Sequence, residues 1–525
     1  MRKMIQAGNW LRKIVFAAGL LGLLQACAVN PVTGQRELTL VSEAQEISLG
    51  AENYGPSQQS QGGKFSVDPQ LAAYVDSVGK RVAAYSPRQL PYEFVVLNSS
   101  VPNAWALPGG KIAINRGLLY ELNNEAELAA VLGHEVVHAA ARHGAQSMER
   151  GMLMQGALAV TAIAAQDSEY AGFIVGGAQV GAQLISQRYG RDAERESDLY
   201  GTRYLAQAGY DPAAAVSLQQ AFVRLSEGRA AGWLDGLFAS HPASAERVQN
   251  NQQLVAQLRA EGFTGGDLGA ARYQQMTAFV RETKPAYEAF DEAYALLAQD
   301  QVEAADRKLN EALRILPREA RFHGLKGDIA LMQRRYGAAI ESYNAALARD
   351  DAYFDYYLGR GLTYSRQGNR TRAQRDLQAS VDLLPTALAM NELGTMALAS
   401  NNRAAAKGYF QQAAMAPGPL GGSARAAFVQ LDIADNPSNY LQTAAMVDAN
   451  GRIVIRVGNA SSVIINRAEL DVQAAVGGQA AHSTVSVANL SPGQMRDHDS
   501  GLQIPAGTTP GSVEIRVLIR SATTN

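Results

Sequence analysis

Apolar and polar positions follow several different periods along this 525-residue chain, and each change of period marks a new kind of element. Ile14 to Leu24 is an apolar run behind Arg2, Lys3, Arg12 and Lys13. That run is too short for a bilayer, which needs about 20 residues, and its charge-then-apolar order is that of an export signal. In "LAAVLGHEVVHAAARHGAQ", residues 128–146, the positions of Leu128, Val131, Leu132, Val136 and Val137 and the many alanines predict one long helix. Leu199, Tyr204 and Leu205 keep helical spacing in a stretch that ends near Gly209. Between them, Met152 to Ala165 and Ala171 to Ile185 are almost uncharged but carry Gln155, Gln179 and Gln183. Lys111 to Asn115 alternate as a strand does, behind a Gly109-Gly110 turn.

A longer period takes over further along. Ala305, Ala339, Ala373 and Ala406 recur at spacings of 34, 34 and 33 residues. Ala312, Ala346, Ser380 and Ala413 recur alongside, with Gly327, Gly361 and Gly394 on the preceding helices. This is the tetratricopeptide period, and it predicts an α-solenoid over residues 286–419 with a concave face for partner peptides. The tail returns to alternation, with "LSPGQ" and "PAGTTPG" as turns, and reads as a small β-sandwich over 430–525. The chain is therefore multidomain and mainly α. The boundaries expected are 1–26 for the signal, 27–64 for a linker and helix, and 65–262 for an α+β domain with an insert at 151–189. A linker helix follows at 263–285, before the repeats and the β domain.

Composition narrows the partners. The chain has 47 basic and 49 acidic residues, a net of -2, and no basic stripe, so nucleic acid is not an expected partner. Cys27 is the only cysteine, which rules out an internal disulfide. It closes Leu24-Gln25-Ala26-Cys27, which reads as a bacterial lipobox cut before a lipidated Cys27. Ala28 behind it is compatible with sorting to the outer membrane from the periplasm.

Seven histidines serve the whole chain, and three lie in residues 128–146. His134 and His138 are four apart, so a helix puts them on one face roughly 40° apart. With Glu135 between them this is the HExxH arrangement, in which both imidazoles hold one zinc ion and the glutamate acts on water. A third ligand is needed. The extended pattern would require glycine at 141 and histidine at 144; the chain has Ala141 and Gly144, with His143 one place out of register. Downstream, Glu194 and Asp198 are again four apart on a helical stretch. Glu194 can be the ligand while Asp198 accepts a hydrogen bond from a ligand histidine. The alternative is a solvated charged face, since Arg191, Asp192, Arg195 and Glu196 sit alongside.

These stretches, with "NPVTGQRELTLVSEAQEISLG" from Asn30, "NAWALPGGKIAINRGLL" from Asn103 and "SHPASAERV" from Ser240, resemble a known family. It is the zinc metallopeptidases related to CAAX prenyl endopeptidase, HtpX and mitochondrial Oma, most closely the periplasmic BepA-like members with tetratricopeptide repeats. The resemblance covers residues 30–255, with Ser197 where the family's ExxAD motif has alanine. It implies a gluzincin-type peptidase domain holding one Zn2+ through His134, His138 and Glu194, with Glu135 as general base. It also places His241 near the metal, as an oxyanion stabiliser or a removable fourth ligand, with Arg247 serving the same site as a second oxyanion stabiliser.

Gly109, Gly110, Lys111, Ile112, Ala113 and Ile114 are expected to form an edge strand that takes an extended substrate by β-augmentation. The insert is expected to lie over the active site or against a membrane or partner. The resulting expectation is an exported endopeptidase for misfolded or stalled outer-membrane proteins, held to the membrane by lipid on Cys27. Its repeats would recruit clients or assembly machinery. Two alternatives stand beside it: an assembly chaperone with a mostly self-inhibited site, and an integral-membrane peptidase whose insert spans.

Overall fold

The computed structural model of the protein describes residues 27–150, 189–228, 241–476, 479–505, 508 and 513–524. The expected signal, and the insert as far as residue 188, lie outside the described residues. Two compact units result, Met1–Gly359 and Arg360–Asn525.

The first unit opens with an antiparallel hairpin of β1 (Cys27–Val29) and β2 (Arg36–Leu38). Helix α1 (Glu43–Ser60) starts at a reciprocal cap between Ser42 and Gln45, and α2 (Pro69–Ala83) starts at Asp68. Strands β3 (Glu93–Leu97), β4 (Ala104–Leu107) and β5 (Lys111–Asn115) form one sheet in the order β3-β5-β4. The short α3 (Arg116–Leu119) leads to α4 (Glu125–Ala140), whose first turn is capped by Asn124 and carries Glu125 and Glu127. Helices α5 (Arg191–Gln207), α6 (Ala213–Gly228), α7 (Ala245–Ala260) and α8 (Ala270–Met276) complete this region. Leu71, Val75, Phe94, Ile112, Ile114, Leu132, Val136 and Leu205 meet in one buried core.

One crossing in that core sets the site. A Cβ on Gly201 of α5 would lie 2.9 Å from the His134 nitrogen and 3.0 Å from the Gly133 carbonyl carbon. The helices therefore touch backbone to backbone, which only glycine permits here. We expect Gly201→Val to cost about 1–3 kcal/mol through overpacking and to weaken zinc binding by parting the two helices. Urea melts with zinc titration test this; unchanged values in both would show that the contact is slack.

Paired helices follow: α9 (Ala278–Ala298), α10 (Val302–Ile315), α11 (Ala320–Met332) and α12 (Tyr336–Leu347). Helix α13 (Phe354–Arg366) runs across the division between units. The second unit continues with α14 (Arg370–Leu383), α15 (Ala387–Ala399), α16 (Arg403–Ala413) and α17 (Gly418–Asp432). The periodic small residues, Ala305, Ala339, Ala373 and Ala406 with Ala312, Ala346, Ser380 and Ala413, are all fully buried. Small side chains at these points let the paired helices approach closely.

The tail holds β6 (Leu441–Val447), β7 (Arg452–Asn459), β8 (Ile465–Val476), β9 (Gln479–Leu490), β10 (Met495–Gln503) and β11 (Glu514–Thr523). They form two antiparallel three-stranded sheets, β10-β7-β6 and β11-β8-β9. Ile453, Ile455, Val457, Leu470, Val472 and Val487 share one buried core there. Among the described residues no helix is long and apolar enough to cross a membrane.

Candidate metal centre

Helical geometry brings His134 and His138 together, with their Nε2 atoms 3.0 Å apart. Helix α4 ends at Ala140, short of the 146 that its sequence pattern suggests. The break is at Arg142, which takes a left-handed φ of 65°. Its guanidinium is bound by Glu46, by Thr39 Oγ1 at 2.8 Å, by the Val41 carbonyl at 2.6 Å and by Glu149 at 3.3 Å. Asn30 Nδ2 donates to the Ala141 carbonyl at 3.2 Å. Residues 30–46 thus close the end of the metal-site helix. The turn carries His143 back beneath His138.

Helix α5 supplies the carboxylates. Glu194, in its first turn, puts Oε1 3.4 Å from His138 Nε2 and Oε2 3.5 Å from His134 Nε2. Asp198 Oδ1 lies 3.1 Å from His134 Nδ1. His241, just before α7, places Nδ1 2.9 Å from Glu194 Oε1 and 3.4 Å from His134 Nε2. His134, His138, Glu194 and His241 each offer an atom, all within 4.8 Å of one another. A tetrahedral zinc site with ligand distances of ~2.0–2.1 Å has donor–donor edges of about 3.3–3.4 Å. Five donor separations, counting either Glu194 oxygen, run from 2.9 to 3.5 Å, close to that size. The donor set fits zinc.

Electrostatics favour a cation at this point. Burial opposes charge on Glu194, but His241, His134 and His138 outweigh it and hold the carboxyl well below its usual range. Burial likewise opposes charge on His134, yet hydrogen bonds to Asp198 and Glu194 push it up to about 10. His138 goes the other way: burial, with His134 and His143 beside it, keeps it neutral and its lone pair available. Glu135 is not among the four donors. Burial raises its carboxyl, partly offset by His241 and His134. Glu135 Oε2 and His241 Nε2 are buried without a hydrogen-bond partner among the described residues.

Arg247 does not occupy the place expected of an oxyanion donor. Its Nε and Nη2 bind Asp198 Oδ2 and Oδ1, both at 2.7 Å, and Nη1 reaches Glu194 Oε2 at 2.9 Å and the Pro242 carbonyl at 3.2 Å. With its donors committed and its side chain buried, Arg247 fixes the two carboxylates instead.

The substrate strand also needs correction. β5 is the central strand of its sheet, parallel to β3 and antiparallel to β4, so no free edge exists at Lys111–Ile114. Ile112, Ala113 and Ile114 are core, and Lys111 Nζ pairs with Glu93 at 2.7 Å. Gly109 (φ 76°) and Gly110 (φ 87°) make the connecting turn, and a Cβ on Gly109 would strike Ile47 Cα at 2.6 Å. These residues build the sheet. Among the described residues the strand paired on one side only, next to α4, is β4.

Residues 69–255 match peptidase family M48. They form an M48 peptidase domain. M48 metallopeptidases are zinc-dependent, and the His/Glu group described above lies within this match, placed so that it could hold one metal ion. A beta-barrel assembly-enhancing protease of Yersinia pestis is 26% identical over 377 residues, 66% of this chain and 76% of that protein. A Vibrio cholerae relative is 33% identical over 197 residues, 36% of this chain and 40% of its own length. Mitochondrial metalloendopeptidase OMA1 of Schizosaccharomyces pombe is 28% identical over 263 residues, 48% of this chain and 74% of that protein. The match thus spans less than half the length of the Vibrio relative.

Two neighbours of the M48 site carried no sequence signal. Tyr189 stacks on His138 with ring centroids 4.0 Å apart. His143 puts Nδ1 2.9 Å from His138 Nδ1, a contact that becomes visible only once the helix end at Arg142 is known.

Proposed function

We propose that the protein is an exported zinc endopeptidase that cleaves misfolded or stalled outer-membrane proteins in the bacterial periplasm. The observation that carries this is the clustered donor set of His134, His138, Glu194 and His241, with a buried Glu135 beside it whose Oε2 has no hydrogen-bond partner among the described residues.

Bound zinc would supply a Lewis acid for the scissile carbonyl and acidify water to a pKa of ~7. Glu135 takes the proton of the attacking water and delivers it to the amine nitrogen as the C–N bond breaks. A carboxyl raised by burial suits that double role. Asp198 orients His134, and Arg247 orients Asp198 and Glu194. An extended peptide would add to β4, the outer strand beside α4, where Ala104 lines a cavity of about 30 Å³ shared with His134 and Glu135. Backbone pairing there selects unfolded chain over any tight sequence motif.

The repeats would recruit clients or assembly machinery, and lipid on Cys27 would hold the protein to the outer membrane. Cys27 opens β1, opposite Leu38. The self-inhibited reading gains from one feature, His241 at the fourth donor position. Digestion of an unfolded outer-membrane β-barrel protein, beside its folded form, tests the proposal. Cleavage of the unfolded form alone, abolished by a zinc chelator, is expected. Cleavage that survives chelation would overturn it.

A further inference from the structure

The two ligand histidines of α4 are supported differently. His134 presents Nε2 to the donor set and Nδ1 to a carboxylate, Asp198. His138 presents Nε2 to the same set, but its Nδ1 meets the Nδ1 of a second histidine, His143, at 2.9 Å. Two imidazole nitrogens at that distance share one proton, so one must donate and the other accept.

The direction follows from the ligand role. A lone pair on His138 Nε2 puts its proton on Nδ1, which makes His143 Nδ1 the acceptor. His143 then carries its own proton on Nε2. That atom lies 3.4 Å from Glu196 Oε1, a buried oxygen with no hydrogen-bond partner among the described residues. His143 itself is buried, so water does not offer an easy substitute.

We infer that His143 is a positioning residue: it accepts a hydrogen bond from His138 Nδ1, turns its Nε2 toward the Glu196 carboxylate, and so holds His138 in its metal-binding tautomer. Arg142 makes this possible. Its left-handed turn, gripped by Glu46 and the segment before it, aims His143 back at the helix it has just left. The chain thus supports one ligand through a carboxylate directly and the other through a histidine placed between ligand and carboxylate.

This inference rests on the zinc reading, and the experiment separates the two. The zinc dissociation constant of the full chain is measured by chelator competition, in a Glu135→Gln background that prevents self-digestion. His143→Leu should raise it about 10–100-fold, the usual effect of losing such a support. His143→Asn, whose Oδ1 can accept the same hydrogen bond, should bring it back close to the parent value. The visible bands of the cobalt(II)-loaded protein should shift in the leucine variant and return in the asparagine variant. A folded His143→Leu with the parent constant would overturn the relay, as would an asparagine variant no better than leucine. Should His143→Leu fail to fold, Glu196→Ala at a partly exposed position carries the test: a raised constant supports the relay and an unchanged one overturns it. A parent protein that binds no zinc would instead remove the metal reading itself.

Discussion

Glu135→Gln should abolish proteolysis and leave zinc bound. The side chain sits beside the donor set without belonging to it: Oε1 lies 3.6 Å from His241 Nε2, and Oε2 has no hydrogen-bond partner among the described residues. Glutamine keeps the shape and removes the ability to accept a proton from water. General acid–base catalysis contributes about 10²–10⁴-fold, and here one group serves both proton transfers, so the upper end of that range is expected. Metal content by atomic absorption and casein digestion, wild type beside variant, decide the matter. A variant that cuts at the wild-type rate would mean another group handles the proton. One that loses zinc would make Glu135 a ligand.

Much of this site could be read from spacing, because both halves of it are helical. Four residues along a helix is nearly one turn, so His134 with His138 and Glu194 with Asp198 each had to share a face. Spacing could not say that the two faces meet. That depends on Gly133 and Gly201, two glycines whose packing role is invisible until the helices cross. His241 was placed by resemblance alone, since a loop histidine before Pro242 carries no periodic signal.

The misreadings have physical causes as well. Alternation identifies a strand but not its neighbours, so it does not reveal that β5 lies between β3 and β4. The run Ile112-Ala113-Ile114 held the better clue, because consecutive apolar residues suit a strand covered on both faces. Two residues past the end of helix α4 stands an arginine with positive φ, a state that sequence ordinarily signals with glycine or asparagine. What holds it there comes from Thr39, Val41 and Glu46, about 100 residues earlier in the chain, and no local pattern reports such partners. The commitment of Arg247 to Asp198 and Glu194 is equally invisible locally, because those partners lie on another helix.

His241→Ala tests whether the resting site is blocked. A zinc ion with four protein ligands is a structural site, and catalysis needs one position open to water. His241 Nδ1 stands at donor distance from both Glu194 and His134, so the resting donor set has four members. A peptidase that binds extended backbone would be hazardous where outer-membrane proteins arrive unfolded, and a ligand that must leave first limits that hazard. The isolated protein is therefore expected to show low basal activity, and His241→Ala to raise cleavage of itself and of casein while its melting curve is retained. The opposite result has an equally definite meaning. A loss of roughly 10²–10³ in rate with zinc retained, the effect of removing an oxyanion donor, would mean that His241 works through its unpartnered Nε2 during the reaction and not as a block. No change in rate would remove His241 from the chemistry altogether.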